Sequence, residues 1–312
     1  MAKLIAFFQI VFLCLLTLGA TCTTTRSYKM GVSGLSPAHW PNPTASDWVN
    51  FANNMKTDAE FLGIHAAWSD RGGFDYAVAN NLKLSIVMGV RAQDAPSIDA
   101  IRVLAEEYAL SPLTQYICFG NEIQDEVDWN TFANLVNSLI ISVKNAKPSL
   151  PTCVVFNYES SLSRVDVSSR LSSLNVDLVV FTSYPINKGY FTPESIPNDY
   201  YAKIATWTTK PIGFSEIAWP SKSYPQLGGI PPLPGSETAQ VNFLNKFNAI
   251  KPANTRWVSW FTLDDLSNWQ PGDPFTNFGQ VFESMALRKN DGTAKQALTT
   301  WKNALALPYV AP

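Results

Sequence analysis

The sequence contains few of the side chains that build metal sites and activated nucleophiles. Among its 312 residues there are two histidines, His39 and His65, and neither has a partner at the spacing of metal ligands. No Gly-x-Ser-x-Gly motif is present, which argues against a Ser-His-Asp hydrolase. We therefore expect a protein that uses neither a metal ion nor any other cofactor.

Charged residues are also sparse, at 15% of the chain, and the formal net charge is only −2. The sequence has no basic stripe, so nucleic acid is not a predicted partner, because proteins that bind it cluster Lys and Arg against the phosphates. A neutral substrate fits this balance better. With 46% apolar residues the chain is long enough to bury the core of one complete domain, and we expect a monomer.

Long hydrophobic runs are absent apart from one at the N-terminus. There Met1-Ala-Lys3 is followed by an apolar core from Leu4 to Leu18 and then by small residues, which is the pattern of a secretory signal peptide. A membrane anchor is the alternative, but this core is shorter than the roughly 18 residues that a spanning helix requires. We predict that residues 1–22 are a cleaved signal and that residues 26–312 form one secreted, extracellular domain with no membrane partner.

What the sequence does contain is a series of short apolar runs separated by amphipathic stretches. Nearly all of these runs are apolar throughout, which is typical of strands covered on both faces. Eight strand-then-helix units predict an α/β fold, a single (β/α)8 barrel. An open, doubly wound sheet is the alternative, but no Gly-x-Gly-x-x-Gly follows the first run. The eight runs are Tyr28 to Gly34, Phe61 to Trp68, Lys83 to Val90, Gln115 to Asn121, Thr152 to Asn157, Asp177 to Tyr184, Lys210 to Glu216 and Trp257 to Leu263.

Helix start signals support this division of the chain. Ser46, Ser97, Asp128 and Ser236 each stand where an amphipathic stretch begins, and such side chains accept hydrogen bonds from the first helical turn. The second unit is the weakest, because Phe74 to Asn81 allows only a short helix.

Two glutamates lie where apolar runs end. Glu122 follows the fourth run in Gln115-Tyr-Ile-Cys-Phe-Gly-Asn-Glu122, and Glu216 closes the seventh in Lys210-Pro-Ile-Gly-Phe-Ser-Glu216. A charge is costly inside such a run, and the catalytic groups of β/α barrels lie where strands end. Two facing carboxylates are the groups that cleave glycosidic bonds, about 5–5.5 Å apart in retaining enzymes and about 6.5–9.5 Å apart in inverting ones. We expect the retaining separation.

Two motifs give the chain a family resemblance. Gly120-Asn-Glu122 and Ser215-Glu-Ile-Ala-Trp-Pro-Ser221 resemble the strand-four and strand-seven motifs of clan A glycoside hydrolases. The second motif is similar to that of family 17 β-1,3-glucanases, and family 53 β-1,4-galactanases are a second relative. Family 17 usually has glycine before Trp-Pro, where this chain has Ala218, so the choice of family stays open.

The resemblance implies a role for each motif residue. Glu122 would be the acid/base, Glu216 the nucleophile, and Asn121 the group that bonds the 2-hydroxyl of the reacting sugar. Tyr184, which closes the sixth run, resembles the clan's tyrosine that donates a hydrogen bond to the nucleophile.

Further candidates for substrate binding lie near other strand ends. Trp68, Trp219 and Trp260 could stack on the apolar face of a sugar, and clan relatives place a tryptophan on strand eight under the reacting sugar. Core packing is the alternative for Trp219 and Trp260. His65, at the end of the second run, is a candidate sugar contact, and Arg91, after the third, a candidate contact to the nucleophile or to a sugar hydroxyl.

These residues together predict a secreted retaining endo-β-glycosidase. It would hydrolyse a neutral β-linked oligo- or polysaccharide by double displacement, with exo action and the identity of the sugar left open. A β-glucan transglycosylase would use the same two glutamates. A non-catalytic glycan-binding barrel is the alternative from another class, and the presence of both acids together with Asn121 argues against it.

Cysteine is too scarce for a disulfide scaffold. Four are present, and loss of residues 1–22 leaves Cys118 and Cys153 on neighbouring predicted strands. Counting by two along each strand, both point into the barrel. We expect two buried free thiols, with a disulfide as the alternative.

Overall fold

The protein is a closed barrel of eight parallel strands in the order β1 to β8. The structure is a computed structural model that describes residues 25–40, 42–66, 71–225, 231–266 and 279–311. Every strand overlaps one of the eight predicted runs, so the predicted (β/α)8 barrel is confirmed. The strands are β1 (Lys29–Ser33), β2 (Phe61–Ala66), β3 (Leu84–Met88), β4 (Thr114–Phe119), β5 (Thr152–Asn157), β6 (Leu178–Ser183), β7 (Ile212–Ile217) and β8 (Thr255–Phe261).

Helices connect the strands and cover the outside of the barrel. In the described ranges they are α1 (Ala45–Asp58), α2 (Gly72–Ala79), α3 (Ile98–Leu110), α4 (Trp129–Ala146), α5 (Tyr158–Ser161), α6 (Val167–Ser172), α7 (Ile204–Trp207), α8 (Glu237–Ile250), α9 (Gly279–Phe282) and α10 (Gln296–Leu305). As expected, the helix of the second unit, α2, is short. No helix within these ranges is both long and apolar enough to cross a membrane.

Two of the four predicted helix caps are as expected. Asp128 and Ser236 each accept a hydrogen bond from a backbone N–H in the first turn of α4 and α8. The cap of α1 is Thr44 instead of Ser46, because Thr44 and Asp47 form a reciprocal capping box. Ser97 makes no side-chain cap, since a 3-10 helix runs directly into α3.

Large side chains fill the lumen of the barrel. One buried cluster draws its members from inward-facing positions on six strands: Phe61, Val87, Tyr116, Cys118, Cys153, Val155, Leu178, Val180 and Trp257. Gly31 on β1 makes room for this packing, because a Cβ there would lie 2.2 Å from the ring of Phe61. The interior of the barrel below the C-terminal strand ends is therefore a packed core and not a channel.

The structure corrects the expectation of two free thiols. Cys118 on β4 and Cys153 on β5 are register partners, their Cα atoms lie 4.1 Å apart, and they form a disulfide. The predicted inward orientation of both side chains is right. The error came from register, which decides whether two inward residues on neighbouring strands lie at the same height and which the sequence does not show.

Candidate active site

A cleft of about 540 Å³ opens at the C-terminal ends of the strands. It contains both glutamates singled out from the sequence, Glu122 and Glu216, together with Asn121, Tyr184 and His65. The rest of its lining is Ser33, Gly34, Leu35, Ala38, His39, Ile64, Gly73, Phe261, Leu266 and Phe282. Residues from six strands or the segments that follow them thus converge on one cavity.

Glu122 lies three residues beyond the end of β4 in an unusual backbone conformation. Its φ of 50° and ψ of 54° are left-handed, a region that costs roughly 1–2 kcal/mol for a residue other than glycine. Arg91 supports this turn: its guanidinium donates to the carbonyl oxygen of Asn121 at 2.7 Å and to that of Glu122 at 3.5 Å. Strained backbone that the surroundings hold in place is often found at functional sites.

Two neighbouring strands hold the carboxylate of Glu122. Thr182 at the end of β6 donates its hydroxyl to Oε1 at 2.6 Å, and Asn157 at the end of β5 donates its amide to the same oxygen at 3.1 Å. Sequence reasoning missed both residues. The sequence pattern that could have identified them is a polar, inward-facing residue at the end of an otherwise apolar strand.

Glu216 lies within β7, and a register shift aims it at the cleft. Phe214, two residues earlier, packs outward against Phe247 of α8, so strict alternation would also turn Glu216 outward. The pairing of β7 shifts after Phe214, between Phe214 and Glu216 on the side of β6 and between Phe214 and Ile217 on the side of β8. Such an extra residue reverses the side on which later side chains emerge, which is how bulges re-aim side chains at active sites.

Two donors bind the Glu216 carboxylate. The hydroxyl of Tyr184 donates to Oε2 at 2.6 Å, and Nε2 of His65 lies 2.9 Å from Oε1. Burial and the nearby charge of Glu216 raise the pKa of Tyr184 well above its usual value, so its hydroxyl stays protonated and remains a donor. Desolvation alone would lower the pKa of His65, but the charges of Glu216 and Glu122 outweigh it and raise that pKa. Both donors stabilise negative charge on Glu216.

The barrel resembles those of glycoside hydrolases. It superposes on a family 5 glycoside hydrolase from Streptomyces cattleya, solved with Manβ1-4GlcNAc, with a TM-score of 0.67 and 12% identity, over 92% of this chain and 82% of the other. No family model matches the sequence, and no curated protein matches it.

Two other similar structures are of proteins whose names or bound ligands refer to β-1,3-glucans. An endo-laminarinase from Formosa Hel1_33_131 has a TM-score of 0.64 and 16% identity, with 94% of this chain and 92% of that one covered. A Rhizomucor miehei β-1,3-glucanosyltransferase, an active-site mutant in complex with laminaritriose, has a TM-score of 0.61 and 14% identity, covering 88% and 97%. At these identities the likeness establishes the fold, and it does not distinguish family 17 from family 53.

The structure corrects two of the aromatic predictions. Trp260 and Trp219 are fully buried in the layer between the strands and the outer helices, where both pack against Phe243 of α8. Neither can therefore stack on a sugar in the cleft. Trp260 lies on the outer side of β8, and the next residue, Phe261, faces the cleft instead. Core packing, the alternative given for both residues, is what the structure shows. Trp68 lies outside the described residues.

Arg91 also differs from its predicted part. It was a candidate contact to the nucleophile or to a sugar hydroxyl, yet its hydrogen bonds go to the backbone of Asn121 and Glu122. Asn121 lines the cleft next to Glu122, and its side-chain oxygen is buried without a hydrogen-bond partner within the described chain. A buried polar atom without a partner is costly, and a hydroxyl donated by a ligand would satisfy it.

Proposed function

We propose that this protein is a retaining endo-β-glycosidase that acts on a neutral β-linked polysaccharide, with Glu122 as the acid/base and Glu216 as the nucleophile. The observation that carries the proposal is the pair of carboxylates in one cleft, each fixed by two donors from different strands. Both glutamate side chains line the cleft, and neither has a lysine or arginine partner in the described part of the chain.

The contacts of the two carboxylates suit different tasks. Both oxygens of Glu216 are oriented by donors, Tyr184 on one side and His65 on the other, as a nucleophile that must stay charged requires. On Glu122 both donors reach Oε1, and among the described residues Oε2 has no protein donor. Oε2 would deliver a proton to the leaving oxygen and later take one from the attacking water.

The lining of the cleft supports a neutral substrate. None of its described residues is a lysine or an arginine, the side chains that would bind the carboxylate of a uronic acid. Phe261 and Phe282 supply aromatic surface for the apolar face of a sugar ring. Because two similar structures are named for or bound to β-1,3-glucans, laminarin is the first substrate to test.

Transglycosylation is the second candidate, favoured by the likeness to a glucanosyltransferase. The same two glutamates would form the same covalent intermediate, and another sugar would replace water as the acceptor. Export of the protein rests on the sequence of residues 1–22 alone, and the monomeric state is likewise a proposal.

The test is a screen of purified residues 26–312 against laminarin, β-1,4-galactan and mannan. Reducing-end release is followed for the wild type and for Glu216→Gln, which keeps the shape of the side chain. Proton NMR of the first-formed product should show a β-anomer, and a product of the opposite configuration would contradict the retaining mechanism. Chain-length analysis separates hydrolysis from transfer, since only transfer yields longer chains. Glycan binding without release would support the non-catalytic alternative.

A further inference from the structure

The end of β6 provides a hydrogen-bond donor to each of the two glutamates, from residues two positions apart. Thr182 points inward and donates to Glu122, while Tyr184 donates to Glu216. Ser183, between them, faces the other side of the strand. Four contacts from the described residues hold the candidate catalytic carboxylates, and the position of Ser183 affects two of them.

Ser183 is bonded to a third carboxylate that takes no part in the mechanism above. Its hydroxyl donates to Oε1 of Glu159 at 2.7 Å and lies 2.9 Å from the hydroxyl of Tyr201. Tyr200 donates to the same oxygen of Glu159 at 2.9 Å. Glu159 is only 2% exposed, and it does not line the cleft.

Glu159 also stands close to the other strand that serves Glu122. It lies two residues after Asn157, whose side chain donates to Glu122 at 3.1 Å. The Glu159–Ser183 hydrogen bond thus joins the end of β5 to the end of β6. Of the four donors that the described ranges provide, these two short segments carry three, Asn157, Thr182 and Tyr184.

Burial of a carboxyl group in a protein core costs desolvation free energy. Burial raises the pKa of Glu159, and hydrogen bonds, that of Ser183 foremost, offset this rise only in part. Its second oxygen, Oε2, has no hydrogen-bond partner within the described chain. An apolar side chain of similar volume would avoid these costs, so a carboxyl group here needs a reason beyond packing.

We infer that Glu159 is a positioning residue for the reaction proposed above. Its carboxylate links the end of β5 to the end of β6 and thereby fixes the donors that orient Glu122 and Glu216, and we call this link the clamp. The clamp acts through one acceptor oxygen, Oε1, which Ser183 and Tyr200 share. It never touches the substrate. The inference rests on the proposed function for its kinetic consequence, whereas its structural consequence can be measured without any substrate.

The test compares Glu159→Gln with Glu159→Leu. Glutamine keeps an acceptor oxygen, so kcat on the substrate that the glycan screen identifies should stay within about threefold of the wild type. Leucine removes the acceptor, and kcat should fall about 10- to 100-fold with KM changed less than about twofold, because a catalytic group displaced by an ångström loses rate on this scale. Equal kinetics for wild type and Glu159→Leu would overturn the clamp.

Crystal structures of the same variants give a second reading that needs no activity. In Glu159→Leu, the contact of Thr182 with Glu122 or that of Tyr184 with Glu216 should lengthen from 2.6 Å to beyond about 3.5 Å. Both contacts unchanged in that variant would overturn the clamp. A wild-type protein inactive on every glycan would instead overturn the proposed function, and these distances would still decide the inference.

Milder variants cover the case in which Glu159→Leu does not fold. Tyr200→Phe removes one of the two donors to Glu159, and Tyr224→Phe is its matched control, since Tyr224 donates a buried hydroxyl to Ser284 away from the cleft. We expect Tyr200→Phe to lower kcat about three- to tenfold and Tyr224→Phe to leave it unchanged. Equal kcat values for the two variants would count against the clamp.

Discussion

The lumen and the mouth of the barrel are built by the same strands a few residues apart. On β5, Val155 points into the packed lumen, and Asn157, two residues on, donates a hydrogen bond to Glu122. On β6, Val180 and Thr182 repeat this pattern. One inward step along each strand therefore separates a position that stabilises the fold from one that holds a reacting group.

The two regions differ in what satisfies their side chains. In the lumen, aromatic rings pack edge to face or stack, as Phe61 and Tyr116 do on Trp257, and their contribution is the removal of apolar surface from water. At the mouth, each glutamate oxygen that is bonded accepts from a named donor at 2.6–3.1 Å. Substitutions at the mouth should therefore change rate, and substitutions in the packed regions should change stability.

The largest effect that this comparison predicts is on Glu216. Glu216→Gln removes the nucleophile and keeps its volume, so turnover should fall by about 10⁴-fold or more, the scale seen when a covalent nucleophile is lost. The melting temperature should change little, because the amide keeps the volume of the carboxylate and its oxygen can still accept from one of the two donors, Tyr184 or His65. Initial rates and a thermal melt check both. A variant that unfolds, or that keeps its activity, would break the division between mouth and lumen.

Glu122→Gln should come next and should depend on the leaving group. Loss of general acid help is worth about 10²- to 10⁴-fold on natural polysaccharides. Aryl glycosides with activated leaving groups need no proton, so their glycosylation step should be largely spared. The measurement is kcat/KM for a polysaccharide and for a nitrophenyl glycoside. Equal losses for both substrates, or for both glutamate variants, would remove the assignment of separate roles.

A pair of neighbouring aromatics on β8 tests the comparison within one strand. Trp260→Ala should cost about 3–5 kcal/mol in the free energy of unfolding, since Trp260 is fully buried against Phe243 and Trp301. Phe261→Ala removes a ring that faces the cleft, so it should raise KM with a smaller loss of stability. Denaturant unfolding and steady-state kinetics on both variants give the answer. A raised KM for Trp260→Ala together with a larger loss of stability for Phe261→Ala would mean that Trp260, and not Phe261, faces the cleft.

The sequence predicts the barrel well and the aim of its side chains less well. Runs such as Thr152 to Asn157 are apolar between their two polar ends, so their identity as strands follows from composition alone. Glu216 reaches the cleft only because the pairing of β7 shifts after Phe214, and the disulfide depends on Cys118 and Cys153 lying at the same height. Register arises from the closure of the whole sheet, which no local pattern records. The αL turn at Glu122 and its support by Arg91 are nonlocal in the same way.

The disulfide adds stability to the packed region and should leave the chemistry alone. It joins residues 35 positions apart on β4 and β5, and a disulfide that closes a loop of this length typically adds about 2–4 kcal/mol to the free energy of unfolding. The double variant Cys118→Ala/Cys153→Ala should lose about that much in the free energy of unfolding, with kcat within about twofold of the wild type. Alkylation under denaturing, non-reducing conditions should label neither cysteine in the wild type. Two labelled thiols would restore the original expectation.

The smallest effect concerns His65, a mouth residue whose contribution depends on pH. Its pKa is raised in the folded protein by the charges of Glu216 and Glu122, so the stabilisation is fully present below the ordinary histidine pKa near 6.5 and is lost as the pH rises through the higher folded value. The side chain is 32% exposed, and a pair this accessible is worth less than about 1 kcal/mol. Unfolding of the wild type and of His65→Gln, measured from pH 5 to 9, should show a wild-type advantage at the acid end that shrinks towards the alkaline end. An advantage that grew with pH would mean that His65 binds Glu216 as a neutral donor, and the mouth would then hold one positive charge fewer than the raised pKa of His65 implies.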